Sequence, residues 1–85
     1  MYTFKTRKYT YINNKKNIFV FDKNNFLIKR IHLPFKEHVI GFDYIYYEKS
    51  ALTVFFRTND TYAYKAVLNE ETFEFSDWGF TRWFL

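Results

Sequence analysis

The sequence predicts an all-β protein: a small antiparallel meander of six or seven strands that forms a sandwich or a half-open barrel. Two observations predict this fold. Aromatic residues make up 26% of the chain, and they recur together with β-branched residues in short runs that suit the pleated surface of a sheet. Turn sequences rich in Asn, Asp and Lys separate these runs at short intervals.

Three strands are predicted between residues 41 and 68, and the rest of the chain is expected to extend or cover them. Their ranges are 42–48, 52–58 and 61–68. Neither face of these strands is plainly polar, so the sheet needs cover on both sides. That cover could come from the same chain, from a second subunit in a homodimer or from a ligand.

The turn between the second and third of these strands sets their register. Asn59 and Asp60 both tolerate left-handed conformations, which predicts a two-residue hairpin turn. With that turn, Phe55 would face Tyr64 across the hairpin. One face would then contain Phe55, Arg57, Tyr62 and Tyr64, and the other would contain Leu52, Val54, Phe56, Ala63 and Val67.

The N-terminal part of the chain predicts three more strands. They cover residues 2–12, 18–21 and 26–33, with polar turns at 13–17 and 22–25. Pro34 ends the last of them because proline cannot donate to a ladder. Lys29 and Arg30 are adjacent in that strand, so their side chains point to opposite faces. One of them is therefore expected at an edge, at a bulge or in a partner interface.

The remaining segments give weaker patterns. Residues 35–40 could form one short helical turn or an extended crossover, and residues 73–75 alternate as a last strand after an acidic turn. The aromatic side chains of the tail are expected to cover an open side of the sheet. The sharper alternative is that Arg82, Trp83 and Phe84 form a partner-binding anchor, since Trp and Arg are over-represented in binding hot spots.

Length and composition limit the possible architectures. The chain has 85 residues, which predicts one domain covering residues 1–85. It has no cysteine, so neither a disulfide nor a thiolate metal site is expected, and no cofactor is implied. No apolar run approaches the roughly 20 residues that span a bilayer. The first residues lack the apolar core of a signal peptide, which predicts a cytoplasmic protein without membrane contact.

Charge is distributed unevenly along the chain. Residues 1–36 contain nine Lys and Arg against one Asp, a net charge of +8, whereas residues 37–85 contain four Lys and Arg against eight Asp and Glu, a net charge of −4. This split predicts a basic pole that suits an anionic partner. Equally, the two halves could neutralise each other within the fold.

The basic pole provides the candidate residues for binding a partner or an anion. Alternation in the N-terminal strand would place Lys5, Arg7, Tyr9 and Tyr11 on one face, and single-stranded nucleic acids and nucleotides favour such a mixture of cations and rings. The simpler reading is a charged edge strand that discourages aggregation. The candidates are Lys5, Arg7, Lys8, Tyr9, Tyr11, Lys15, Lys16, Lys29 and Arg30.

Catalysis has little support in the sequence. His32 and His38 are the only histidines, and no metal-binding helix motif, glycine-rich phosphate loop or nucleophile elbow accompanies them. We therefore expect a protein that is not an enzyme and that contains no metal site.

Binding is the expected function. Small inhibitors of phages and mobile elements, including anti-defence proteins, are similar in type: short, free of cysteine and without recognisable motifs. The sequence thus predicts an inhibitor or sequestering factor that contacts a larger protein or its nucleic-acid channel. One alternative is direct binding of nucleic acid or a nucleotide through the basic, tyrosine-bearing N-terminal face. Another is a toxin-neutralising immunity protein.

Overall fold

Two antiparallel sheets make up the protein. The computed structural model describes residues 2–82, the last two by their backbone only. Strands β1–β4 form one four-stranded sheet and strands β5–β8 form the other, and consecutive strands are neighbours in each. The strands are β1 Tyr2–Lys5, β2 Thr10–Asn13, β3 Asn17–Phe21, β4 Leu27–His32, β5 Val39–Glu48, β6 Ala51–Thr58, β7 Tyr62–Leu68 and β8 Phe75–Arg82.

The predicted all-β class and the antiparallel meander order are confirmed, but the strand count of six or seven is wrong because residues 2–82 form eight strands. Residues 2–82 contain no helix and no closed barrel. The predicted helical turn at 35–40 is a single hydrogen-bonded turn, in which the Val39 amide donates to the Lys36 carbonyl at 3.2 Å. His38 has a φ of 69°, and this left-handed conformation prevents a right-handed helix there.

The predicted strand at 2–12 is divided into β1 and β2. The Thr6 hydroxyl accepts hydrogen bonds from the amides of Lys8 and Tyr9, at 3.2 and 3.1 Å, and the Thr6 amide donates to the Tyr9 carbonyl. A threonine side chain that bonds to its own backbone in this way competes with a strand ladder. The single face proposed for Lys5, Arg7, Tyr9 and Tyr11 is therefore wrong.

The register predicted for the β6–β7 hairpin is also wrong, by one residue. Phe55 lies opposite Lys65, and Phe56 lies opposite Tyr64, so three residues rather than two connect the strands. The Thr58 hydroxyl donates to the Tyr62 carbonyl and accepts from the Asp60 amide, which fixes the longer loop. A slip of one residue exchanges the two faces of a strand. Phe56 therefore shares its face with Tyr64, whereas Phe55 does not.

The last strand begins later than predicted. Phe73 has a φ of 60° and lies outside the ladder, so residues 73–75 are not a strand of their own. β8 starts at Phe75 and continues through the aromatic tail to Arg82. Trp78 packs against the core, as expected of a covering residue, whereas Phe80 is 72% exposed.

Both sheets contribute to one hydrophobic core, which alternate residues of each strand supply. Phe56 is fully buried at its centre, with its ring 5.4 Å from that of Phe42 and 4.9 Å from that of Trp78. The buried cluster consists of Tyr11, Ile18, Val20 and Ile31 from the first sheet and Phe42, Ile45, Leu52, Val54, Phe56, Ala66 and Leu68 from the second.

The edges β1 and β5 meet on one side of the molecule, which we name the closed side. The Tyr2 hydroxyl donates to the Ile45 carbonyl at 3.1 Å, and the Asn13 amide group donates to the Asp43 carbonyl at 3.0 Å. Near its start, β5 approaches the β2–β3 turn so closely that a Cβ on Gly41 would lie 3.1 Å from the Lys15 carbonyl oxygen. This close approach explains the glycine at position 41.

Within the described part of the chain, the other two sheet edges, β4 and β8, each pair with one strand. We name the side on which they lie the open side. The regular elements of residues 2–82 are all strands, so this range has no helix long and apolar enough to cross a membrane.

Candidate functional site

A groove of about 680 Å³ lies on the open side, between the edges of the two sheets. Residues 29–32 of β4 form one wall, and residues 73–75 with Trp78 form the other. Residues 34–36 of the linker between β4 and β5 complete the lining. We name this feature the β4–β8 groove. Because strands from both halves of the chain form it, the groove exists only in the folded protein.

The β4–β8 groove is basic. Lys29, Arg30 and Lys36 line it, and Glu74 is the one acidic residue that does so. Among the ion pairs of the described side chains, none involves a Lys or Arg from the first 36 residues. The Lys36 ammonium lies 5.0 Å from the centre of the Trp78 ring, within the distance for a cation–π interaction. Ion pairing between the basic N-terminal residues and the acidic residues that follow, one of the two alternatives raised by the charge distribution, is therefore not observed at this edge.

Aromatic rings supply the apolar part of the groove. Phe73 packs against Tyr9 at 5.4 Å between ring centres, and Phe75 packs against Phe56 at 5.1 Å. These contacts fix the β8 wall against the core. The ring of Phe35, by contrast, is fully exposed on the linker directly after Pro34. Pro34 fixes its own φ directly before this ring.

The β4 wall is an exposed edge strand, which confirms the expectation for Lys29 and Arg30. The pairing with β3 shifts at Ile28, because Phe21 lies opposite Leu27 while Val20 lies opposite Lys29. Apolar side chains are exposed at the start of the same edge: Phe26 is 67%, Leu27 54% and Ile28 44% exposed. An exposed apolar edge of this kind indicates a contact surface.

The other predicted basic residues lie elsewhere. Lys5, Arg7 and Lys8 surround the β1–β2 turn, beside a hollow of about 580 Å³ that Tyr47 and Glu70 also line. The exposed Lys15 and Lys16 lie in the β2–β3 turn, at the opposite end of the same sheet. The structure therefore divides the predicted basic pole into three separate places.

The two tyrosines predicted to stack on a ligand belong to the interior. Tyr11 is fully buried, and its hydroxyl donates to Glu70 at 2.7 Å. Burial, and secondly this hydrogen bond, raise the pKa of Tyr11 well above its usual range. Tyr9 is half-buried, between Tyr11 and Phe73. A stacking role for Tyr11 is therefore wrong, and the ring that lies beside Lys5, Arg7 and Lys8 is Tyr47.

The predicted C-terminal anchor lies mostly outside the described residues. Trp83 and Phe84 are not among them, and Arg82 is described by its backbone, which pairs with Tyr62 at the end of β8. That prediction stays a prediction.

The two histidines do not meet. His32 lines the β4–β8 groove, whereas His38 lies in the turn before β5, with its ring 3.1 Å from the side-chain oxygen of Asn59. Among the described residues, no group of three or more His, Asp or Glu side chains is placed to hold a metal ion.

Sequence reasoning identified Lys29 and Arg30 in the groove but missed its other residues. Phe35 and Lys36 follow these cations within a few positions, so the basic and aromatic composition of residues 29–36 was an available signal. The β8 wall had no such signal, because its approach to β4 depends on how the two sheets pack.

Comparisons with models of protein families, with curated proteins and with solved structures find no match to this chain. The class defined by the fold is therefore stated in structural terms alone: an all-β protein of two antiparallel four-stranded sheets with a basic, aromatic groove between two sheet edges.

Proposed function

We propose that this chain is a non-enzymatic binding protein, an inhibitor or sequestering factor that holds a segment of a larger protein in the β4–β8 groove. The observation that supports the proposal most strongly is the groove itself, which combines two sheet edges, unneutralised cations and exposed apolar side chains. A small protein gains no stability from exposing such groups.

Phe35 is the anchor of the proposed contact. An exposed aromatic ring that becomes buried in a partner can supply much of the binding energy of an interface. The flanking cations Lys29, Arg30 and Lys36 then direct a partner of opposite charge to the same place. Inhibition of a larger enzyme, sequestration and neutralisation of a toxin are three outcomes of the same type of contact. A phage or mobile-element origin and a cytoplasmic setting remain predictions within this proposal.

Binding of nucleic acid or a nucleotide is the second candidate, and one observation favours it. Lys5, Arg7 and Lys8 lie beside the half-exposed ring of Tyr47, which could stack on a base. Glu70 lines the same hollow, however, and opposes an anionic ligand there. The division of the basic residues into three places also leaves no continuous track for a nucleic-acid backbone.

Affinity capture with matched charge reversals tests the proposal. The immobilised full chain is incubated with a lysate of cells that express it, with and without nuclease. Lys29→Glu/Arg30→Glu changes the groove, and Lys15→Glu/Lys16→Glu makes the same change of charge in a turn outside it. The proposal predicts a nuclease-resistant protein partner that the groove variant loses and the turn variant keeps.

A partner that disappears with nuclease would favour the second candidate. Equal loss in both variants would mean that net charge, and not the groove, determines capture. Either result would contradict the proposal.

A further inference from the structure

We infer that the segment held in the β4–β8 groove is an acidic peptide in an extended conformation, which pairs with β4 as an additional strand. This inference rests on the proposed function and specifies the chemistry of the partner. Strand addition at a sheet edge is a general mode of peptide recognition, in which main-chain hydrogen bonds give affinity and side-chain pockets give specificity.

The edge of β4 meets the requirements of strand addition. Among the strands of residues 2–82, β3 alone pairs with β4, so the other edge of its backbone is available for pairing. From Lys29 to His32 the pairing with β3 is regular, and the irregularity at Ile28 limits pairing before that point. We therefore expect the added strand to pair mainly with the four residues Lys29–His32.

The edge of β8 is a poorer template. Its pairing with β7 is irregular between Lys65 and Val67, and Asp77 has a φ of 53°, which interrupts the extended backbone. Phe73, just before the strand, also has a positive φ. The β8 wall therefore offers side chains to an occupant, whereas β4 offers a continuous backbone edge.

Charge determines the composition of the occupant. Side chains of a strand alternate between faces, so Lys29 lies on the same face as the buried Ile31, and Arg30 lies on the opposite face with His32. A peptide beside β4 meets a cation on each of its faces, and carboxylates on both faces would pair with them. Glu74 on the far wall favours an apolar side chain where the peptide approaches β8.

A single-stranded nucleic acid is the weaker occupant. It would need rings free to stack on successive bases. Phe73, Phe75 and Trp78 are instead packed against the protein, which leaves Phe35 as the freely exposed ring of the lining. Nucleic acid also has no ladder of amide and carbonyl groups to pair with the β4 edge.

Amide hydrogen exchange on the ¹⁵N-labelled full chain tests the inference. The probes are two capped octapeptides in which two adjacent Glu, whose side chains point to opposite faces, alternate with two Val or with two Phe. We expect at least one to slow exchange by about tenfold or more at the alternate amides of Lys29–His32 that point away from β3, because newly hydrogen-bonded amides exchange only on opening. The matched controls are the same peptides with Lys in place of Glu, the same peptides N-methylated at alternate residues, and an oligothymidylate.

The inference predicts that N-methylation on the pairing edge abolishes protection, because it removes donors of the ladder, and that the Lys peptides give none. Lys29→Glu/Arg30→Glu should weaken binding by about tenfold or more, while Lys15→Glu/Lys16→Glu should change it by less than about threefold. The inference would be overturned if neither Glu peptide gave protection, if the Lys peptides or all of the N-methylated peptides protected equally well, or if the oligothymidylate protected more strongly.

Failure of this inference is distinguishable from failure of the proposed function. If lysate capture depends on the groove but the methylated peptides bind as well as the unmethylated ones, the protein-binding proposal stands and strand addition is wrong. If capture is independent of the groove, the proposed function fails whatever the peptides do.

Discussion

The closed and open sides of this protein use similar residues for different purposes. On the closed side, aromatic rings link the two sheets: Tyr2 contacts Tyr44, and Phe4 contacts Tyr47 at 5.8 Å between ring centres. On the open side, Phe35 contacts solvent, and the cations of β4 have no acidic partner among the described ion pairs. The closed side therefore holds the sheets together, and the open side remains available to a partner.

Aromatic content alone therefore does not identify a binding surface. Many rings of the chain form or cover the core, which a domain of this size needs because it buries only a modest share of its surface. The informative rings are those that contribute nothing to the core and lie beside unneutralised charge. Substitutions on the two sides should therefore separate stability from binding.

The largest expected effect is that of Phe56→Ala, at the core that both sides share. Removing this fully buried ring, which contacts Phe42, Phe75 and Trp78, should lower the free energy of unfolding by about 3–5 kcal/mol. Urea denaturation measures the change. A loss below about 1 kcal/mol would contradict the central position of this ring.

Asn13→Ala should weaken the closed side. The Asn13 side chain is buried, donates to the Asp43 carbonyl at 3.0 Å and accepts from the Lys15 amide at 2.7 Å. Because those backbone groups lose their partners, the free energy of unfolding should fall by about 1–3 kcal/mol, as measured by urea denaturation. Asn24→Ala, in the exposed β3–β4 turn, is the matched control and should stay within about 0.5 kcal/mol of wild type. Equal effects of the two substitutions on the free energy of unfolding would show that the contacts of Asn13 do not stabilise the closed side.

Tyr11→Phe should give a smaller loss that depends on pH. The variant loses the hydrogen bond to Glu70, but Thr6 still donates to the same carboxylate, so we expect a cost of about 0.5–1.5 kcal/mol at neutral pH. The folded state keeps the Tyr11 proton more firmly than the unfolded state, in which the pKa is near its usual 10.0. The free energy of unfolding of wild type should therefore exceed that of Tyr11→Phe by a constant amount below pH 10. Above pH 10 this difference should fall by about 1.4 kcal/mol per pH unit.

Stability of wild type and Tyr11→Phe, measured from neutral pH to about pH 11, tests that expectation. The other tyrosines are common to both proteins, so the difference between the two curves reports Tyr11. A constant difference across this range would show that Tyr11 is not protected from ionisation by the fold.

The smallest effect on stability is expected on the open side. Phe35→Ala should change the free energy of unfolding by less than about 0.5 kcal/mol, because the ring is fully exposed. The same substitution should remove most of the partner captured by the immobilised chain. Full retention of the partner would show that Phe35 is not an anchor.

The sequence predicted most strands because alternation and turn residues are local signals. It also predicted that one of Lys29 and Arg30 lies at an edge, at a bulge or in a partner interface, since adjacent cations cannot both avoid the interior of a sheet. The errors arose where a side chain changes the backbone path. Thr6 ends β1 by bonding to nearby amides, and Thr58 lengthens the β6–β7 loop by one residue. Alternation of residue types does not reveal either bond.

The groove was only half predictable for a different reason. Its β4 wall and linker are contiguous in sequence, whereas Phe73 and Trp78 reach it from more than 35 positions away through the packing of the sheets. The burial of Tyr11 had the same origin, because Glu70, which accepts its hydrogen bond, lies 59 positions along the chain. Long-range contacts of this kind follow from the fold and not from local composition.

Site-specific photocrosslinking compares the two sides most directly. A photoreactive phenylalanine analogue is placed at position 35 on the open side or at Tyr44, a half-exposed ring on the closed side, and the full chain is irradiated in cells that express it. If the open side binds the partner, we expect a discrete protein adduct from position 35 and little or none from position 44. An adduct from position 44 with none from position 35 would contradict the claim that the open side is the binding surface.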